Sequence, residues 1–320
     1  MNRARIATAV AWTAATLWAA WAFVRLLGLE WGFPLIQLVA FTPLVALASV
    51  VPIAIAVGLR RWGAAALATL AAIALAFSVL PRAFGGPTDP EDAPGPTLRV
   101  LAANMKVGKA DPAELVELVE ELDADVLAVE ELTPALAGDL RDAGLERRMR
   151  GRMLGAVAPG SFGVGLYART ELTDGAVVGA LPGGFPLVSG SLELAGAAPV
   201  RVYAVHTQPP TPEWGADWDD DLRALPAAEE GQLQILMGDF NATLDHDEFR
   251  DLLDRGYDDV AETLGDGLTP TWPEQRRFPP LVTIDHVLAD ERIGIRDYST
   301  HTIARSDHRA VYAELVLPAE

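Results

Sequence analysis

Three apolar runs fill the start of the chain. Ile6 to Leu27 carries Arg25 as its only charge, while Phe33 to Leu59 and Gly63 to Leu80 carry none. Crossing the ~30 Å hydrocarbon core of a bilayer takes about 20 mostly apolar residues. In lipid the backbone must satisfy its own hydrogen bonds, so such runs should be helices. The pattern predicts a membrane anchor over residues 1–84 with three transmembrane helices, at about 6–27, 33–59 and 63–80. No run has a polar face, which argues against a soluble helix bundle. Trp31 and Trp62 stand at run ends, where interfacial aromatics collect. Arg3, Arg5 and the small-x-small site Ala20-Trp21-Ala22 also have the form of a cleavable signal. The apolar run continues past that site and two more follow, which favours a retained helix.

Residues 85–96 read GGPTDPEDAPGP, too rich in proline, glycine and acid for a helix or strand, and predict a semi-extended linker. From Thr97 the pattern changes. Strand-like runs at 98–104, 125–131, 162–169, 199–206, 233–239, 282–289 and 308–317 alternate with helical patterns at 112–122, 133–143 and 247–253. Asp111 before Pro112 is a good N-cap. This predicts an α/β or α+β domain with strands enough for two sheets.

Charge separates the two parts further. Residues 1–87 hold six arginines against Glu30 alone, a net of +5, which leaves −24 for residues 88–320. Arg3 and Arg5, and then Arg60 and Arg61, mark the two cytoplasmic ends by the positive-inside rule. A multi-pass protein of the cell membrane with an extracytoplasmic domain follows. The chain has no cysteine, which excludes a disulfide framework, a thiolate zinc site and a cysteine nucleophile.

Polar residues cluster at strand ends. Asn104, Glu131, His206, Asp239 and Asn241 lie at the C-terminal ends of apolar runs; Asp285 interrupts another, and Asp307-His308 precedes the last. Side chains so placed converge on one edge of an open α/β fold, where such folds hold their sites.

The segments LRVLAAN, DVLAVEELT, HTQPP, ILMGDFNAT, TIDHVLA and ARSDHRAV together resemble the endonuclease/exonuclease/phosphatase superfamily over Thr97 to Leu317. The resemblance implies a four-layer sandwich: two mixed β-sheets face to face with helices outside, here over residues 97–318. It also implies a metal-dependent phosphoesterase. Magnesium or manganese would be held by Asn104, Glu131 and Asp307, with Glu131 ranked ahead of Glu130, which replaces the family's glutamine. Asp239 would orient or deprotonate water, Asn241 would hold phosphate, and His308 would pair with Asp285. His206 would contact phosphate or the leaving group, with no acidic partner evident for it. In GDFN, Gly238 is read as permitting a tight turn, and residues 239 and 241 point the same way on an extended chain. Tyr167 and Arg169 read as structural, and His246 and His286 as surface or supporting residues. Trp272 lines the site or fills the core.

A nuclease draws its affinity from Lys and Arg on phosphates. The acidic domain, with Lys106 and Lys109 as its only lysines, makes nucleic acid a poor fit, although Arg147, Arg148, Arg150 and Arg152 form a local patch suited equally to lipid headgroups. The anchor points to the bilayer as partner and to a phosphorylated lipid as substrate. Helices ahead of such a domain resemble actinobacterial membrane-bound members of the superfamily, including the teicoplanin-resistance membrane phosphatases. That resemblance implies a polyprenyl pyrophosphate phosphatase at the outer face. An extracellular nuclease, a sphingomyelinase-like phosphodiesterase and an inactive tethered binding module are the alternatives.

Overall fold

The computed structural model describes residues 3–213, 215–274 and 279–319. Its first unit is helical. Helix α1 (Arg3–Leu26) packs along α5 (Trp62–Val79), which a 3-10 turn extends to Ala83. Both are long and apolar enough to cross a membrane. Ala11 and Ala15 of α1 meet Ala64, Ala65 and Ala68 of α5, small side chains that bring two backbones close. Both helices end beside the second unit, while Arg61 donates to Ala4 O at the opposite end.

The expected second span is not one helix. Residues 33–59 form α2 (Leu35–Val39), α3 (Thr42–Leu47) and α4 (Val50–Gly58), with breaks at Ala40–Phe41 and Ala48–Ser49. Pro43 and Pro52 lack an N–H, and their rings press on the carbonyls four residues back, at Val39 and Ala48. Each break falls at that point. Two long helices and a broken return therefore replace the three continuous spans.

The second unit begins where the linker was expected. Thr88 N donates to Ile295 O at 2.9 Å, and Gly86 and Glu91 add bonds to Thr263 O and Arg292 O. Strand β1 (Pro94–Asn104) starts inside the predicted linker. After it come α6 (Pro112–Glu121), β2 (Val126–Glu130), α7 (Pro134–Ala143), α8 (Leu145–Arg148), β3 (Gly151–Gly155), β4 (Val164–Ala168), β5 (Thr173–Ala180), β6 (Pro186–Leu192) and β7 (Val200–His206). Then follow α9 (Gly215–Ala224), β8 (Leu233–Asp239), α10 (Asp247–Leu253), β9 (Tyr257–Asp259), α11 (Val260–Leu264), β10 (Asp285–Asp290), β11 (Gly294–Thr302) and β12 (Arg309–Pro318).

The strands form two mixed six-stranded sheets, ordered β11-β12-β1-β2-β4-β3 and β5-β6-β7-β8-β10-β9. Alternation along β1 explains the layers. Leu98, Val100 and Ala102 face Val200, Val202 and Ala204 of the other sheet, while Leu101 and Ala103 turn outward to the α6 and α7 layer. On the far side, Tyr203 and Val205 meet Trp218, Leu222, Phe249 and Leu252 of α9 and α10. Burying each Val or Leu of these layers stabilises the fold by about 1.5–3 kcal/mol. This is the expected four-layer arrangement.

Topology then positions the site. The central pairs β1/β2 and β7/β8 are parallel, so each pair brings two C-terminal ends together: Asn104 beside Glu130, and His206 beside Asp239. Antiparallel β10 sets Asp285 opposite Asp239.

Candidate active site

Asp239 is the hub. Its Oδ2 accepts from Asn104 Nδ2 at 3.0 Å and lies 3.7 Å from His206 Nε2 and 3.8 Å from His308 Nδ1, while its Oδ1 accepts from Asn241 N at 2.9 Å. Burial, opposed by His308, lifts its carboxyl to about 7. Asn241 is not on extended chain: at φ 48 it sits in a left-handed turn, and one amide N–H donates to Thr207 O at 2.9 Å, the other having no partner among the described residues. Nor does Gly238 make the turn. It lies within β8, where a Cβ would stand 2.1 Å from Val205 O and 2.7 Å from Glu130 Oε1. Close approach of the neighbouring strand excludes any side chain there.

His308 Nδ1 lies 3.1 Å from both oxygens of Asp285. Burial pulls this imidazole down, but Asp285 and Asp239 outweigh it and raise it to about 10, so it is a cation at neutral pH. His206 is the opposite case, lowered to about 3 by burial and then by the His308 charge. It is neutral, packed edge-on against Phe185, and its nearest acid is Asp239 itself. The two histidines are thus one cation and one neutral ring, not two equivalent acid/base pairs.

The glutamates separate clearly. Glu131, at φ 58 just past β2, turns into the cavity, accepting from Val107 N and lying 3.4 Å from Asn104 Nδ2. Burial raises its carboxyl, and those two donors oppose the shift. Glu130 points between the sheets, and neither of its oxygens has a partner among the described residues. Burial, then the Asp285 and Asp239 charges, push its carboxyl well above the ordinary glutamate value. Asp307 stands at the rim, 3.4 Å from Lys106 Nζ.

These residues fit a hard divalent cation. The donors are oxygens, as magnesium and manganese prefer. Glu131, Asp239, Asp285 and Asp307 outnumber the nearby cations His308 and Lys106. Burial raises the carboxyls of Glu131 and Asp239, a cost that a bound cation would offset. Asp239, Asp285 and His308 also form a close trio of potential ligands, but His308 Nδ1 is already engaged with Asp285. Asn104 and Glu131 lie together at the cavity, with Asp307 at its rim.

A sequence model of the Endonuclease/Exonuclease/phosphatase family matches residues 101–308, which span every residue of this cluster. The chain belongs to that family. Its members are hydrolases of phosphate esters and phosphodiesters that generally use a divalent metal. Solved structures share the fold at low identity. Humanized TDP2 from D. rerio is 18% identical with a TM-score of 0.57, covering 68% of this chain and 98% of its own. A family protein from Beutenbergia cavernae is 20% identical, with a TM-score of 0.56 over 70% of this chain and 72% of its own. One from Bacteroides vulgatus is 13% identical, with a TM-score of 0.55 over 70% and 100%. No curated protein matches the sequence.

Residues around the cluster support it. Thr271 Oγ1 accepts from Asp285 N at 3.2 Å. Ser306 Oγ donates to Asn104 O at 2.8 Å and accepts from His308 N at 3.1 Å, tying β1 to the Asp-His pair. Trp272 lines the cavity with its ring 6.4 Å from that of His308. His286 and His246 are buried, on Asp259 and on Ile36 O respectively, and Arg169 pairs with Asp123. The cavity above the cluster encloses about 700 Å³, and Gln37, Ala40 and Phe41 of the apolar segment form part of its wall.

Proposed function

We propose that this protein is a membrane-anchored, divalent-metal-dependent phosphoesterase acting at the outer face of the cell membrane on a lipid pyrophosphate of polyprenyl type. The observation that carries the reading is the shared wall. Gln37 of α2 and Ala40 and Phe41 of the break that follows it face the same cavity as His206, Asp239, Asn241 and His308. A phosphate at the cluster would leave its apolar chain against that segment and the exposed leucines and tryptophans beyond it. The domain also meets the ends of α1 and α5 remote from Arg3, Arg5, Arg60 and Arg61, which supports an extracytoplasmic position.

The chemistry follows from the protonation states. Asp239, near 7, suits a base that orients water and takes its proton at neutral pH. The free amide N–H of Asn241 holds a phosphoryl oxygen. His308, with Nδ1 held by Asp285, offers Nε2 and a fixed positive charge to the oxygens of the transition state. Neutral His206 supports the leaving side. Asn104, Glu131 and Asp307 would hold magnesium or manganese, which when bound neutralises phosphate charge and polarises the phosphoryl group.

A nuclease is the second reading, since TDP2 from D. rerio was crystallised with a single-strand DNA product. The −24 charge of residues 88–320 opposes it. The full chain in lipid nanodiscs should be offered polyprenyl pyrophosphate, sphingomyelin, inositol phosphates and DNA, each with and without magnesium. Magnesium-dependent phosphate release from the lipid pyrophosphate alone is expected. Cleavage of DNA with no release from any lipid would overturn the substrate and leave the family site standing.

A further inference from the structure

The loop that follows the catalytic strand is held from two directions. Its first half is fixed by the domain: Asn241 Nδ2 on Thr207 O, and His286 Nε2 3.0 Å from Ala242 O. Its second half is fixed largely by the membrane helices. Arg25 Nε, at the end of α1, lies 2.7 Å from Asp245 Oδ1. Arg82, at the end of α5, places Nη1 at 2.9 Å from Asp245 Oδ2 and Nη2 at 2.8 Å from Oδ1. Both guanidiniums also donate to Leu244 O, at 3.0 and 3.2 Å. Ile36 O meets His246 Nε2 at 2.9 Å, and His246 Nδ1 accepts from Thr243 N at 2.8 Å. From the domain, Arg250 reaches Asp245 O at 2.7 Å.

The burial is complete: Arg25, Arg82 and Asp245 are 6%, 3% and 0% exposed. Two cations and one anion removed from water are costly to assemble and add little net stability, so such a cluster is poor at merely fastening two parts together. What it specifies is direction and register. Asp245 is satisfied by both forks only when the ends of α1 and α5 stand side by side at one height. Only five residues separate it from Asp239, and the path between runs through Asn241.

We infer that Asp245 is a positioning residue through which α1 and α5 hold the active-site loop, so that the membrane helices are a working part of the catalytic site. The inference rests on the phosphoesterase reading of the site, and not on the choice of lipid. Loosening the Arg25–Asp245–Arg82 cluster lets residues 242–246 drift, and Asn241 and Asp239 with them.

The test uses the full chain in nanodiscs with magnesium and a soluble aryl phosphate ester as probe, together with hydrogen exchange by mass spectrometry. Asp245→Asn should lower kcat about ten- to a hundredfold with KM nearly unchanged, because geometry rather than binding is lost. Exchange in residues 240–247 should rise while the β1 and β12 peptides keep their protection. Arg82→Lys, which retains the charge, should recover part of the rate lost in Arg82→Gln. Should Asp245→Asn fail to fold, Arg25→Gln, which leaves Arg82 in place, reads the same coupling more gently. Unchanged kcat and unchanged local exchange in these variants would overturn the inference, as would a rise in exchange spread evenly over the domain. A wild-type protein inert toward every phosphate ester would sink the phosphoesterase reading. The selective loosening of residues 240–247 would still report whether the helices hold the loop.

Discussion

His308 Nδ1 stands 3.1 Å from each carboxylate oxygen of Asp285, and both side chains are buried. That pair keeps a positive charge inside a predominantly acidic pocket. Burial alone would strip the proton from His308; Asp285, with Asp239, holds it to about pH 10.

Asp285→Asn should therefore cost about a hundredfold or more in kcat, the scale of losing one preorganised charge at a transition state. The alkaline limb of the pH–rate profile should move from near 10 toward neutrality. The stability consequence has a definite sign. A histidine raised in the folded state from 6.5 to about 10 contributes fully below 6.5 and loses that contribution as pH rises through about 10. The Tm gap between wild type and variant should be widest below pH 6.5 and close toward pH 10, as read by scanning calorimetry.

Glu131→Gln and Glu130→Gln should behave oppositely. Glu131 faces the cavity beside Asn104, and its loss should abolish magnesium-dependent turnover and weaken magnesium binding measured by calorimetry. Glu130 is buried, its carboxyl is raised by that burial and its oxygens have no partner among the described residues, so an amide of the same shape should keep activity within a few-fold and leave Tm level or higher. Loss of magnesium binding in Glu130→Gln alone would exchange their roles.

Much of this site was legible because its residues sit at strand ends, where an apolar run stops on a carboxylate, amide or imidazole. Asn104, Glu131, His206 and Asp239 were found that way. The strands missed, β3, β5, β6, β9 and β11, are short or lack a clean apolar alternation. Strand β6 buries Ser189 and Ser191 between neighbours, β5 is an exposed glycine-containing edge, and β11 reads as polar because one face is open. The break of the second apolar run was missed for another reason: length and hydropathy count residues, while Pro43 and Pro52 act through single carbonyls. Gln37 and Phe41 gave no signal at all, since only the fold brings that break to the cavity. The cluster of Arg25 and Arg82 on Asp245 is likewise a tertiary fact, built from residues far apart in sequence.

Phe41→Ala should separate lipid from soluble substrates. Removing an aromatic wall costs about 1–2 kcal/mol of apolar contact, or roughly tenfold in KM for a long-chain lipid. KM for a short soluble ester should not change. Equal effects on both would mean that Phe41 supports the fold and does not meet the chain.

The chain has no cysteine, so single engineered thiols report topology without background. Ala195→Cys, on the exposed surface of the domain, should react with a membrane-impermeant maleimide in intact cells. Arg60→Cys, at the opposite end of the helices, should react only after lysis. The reverse pattern would place the domain inside.

The most direct measurement is phosphate release by the full chain in nanodiscs from a long-chain polyprenyl pyrophosphate, set against a short-chain soluble pyrophosphate at equal magnesium. A cavity walled by both the catalytic cluster and Gln37, Ala40 and Phe41 predicts release from both, with kcat/KM clearly higher for the long chain and lost on chelation. No release from the long-chain lipid, with efficient magnesium-dependent cleavage of the soluble compound or of DNA, would contradict a lipid phosphoesterase built across the membrane surface.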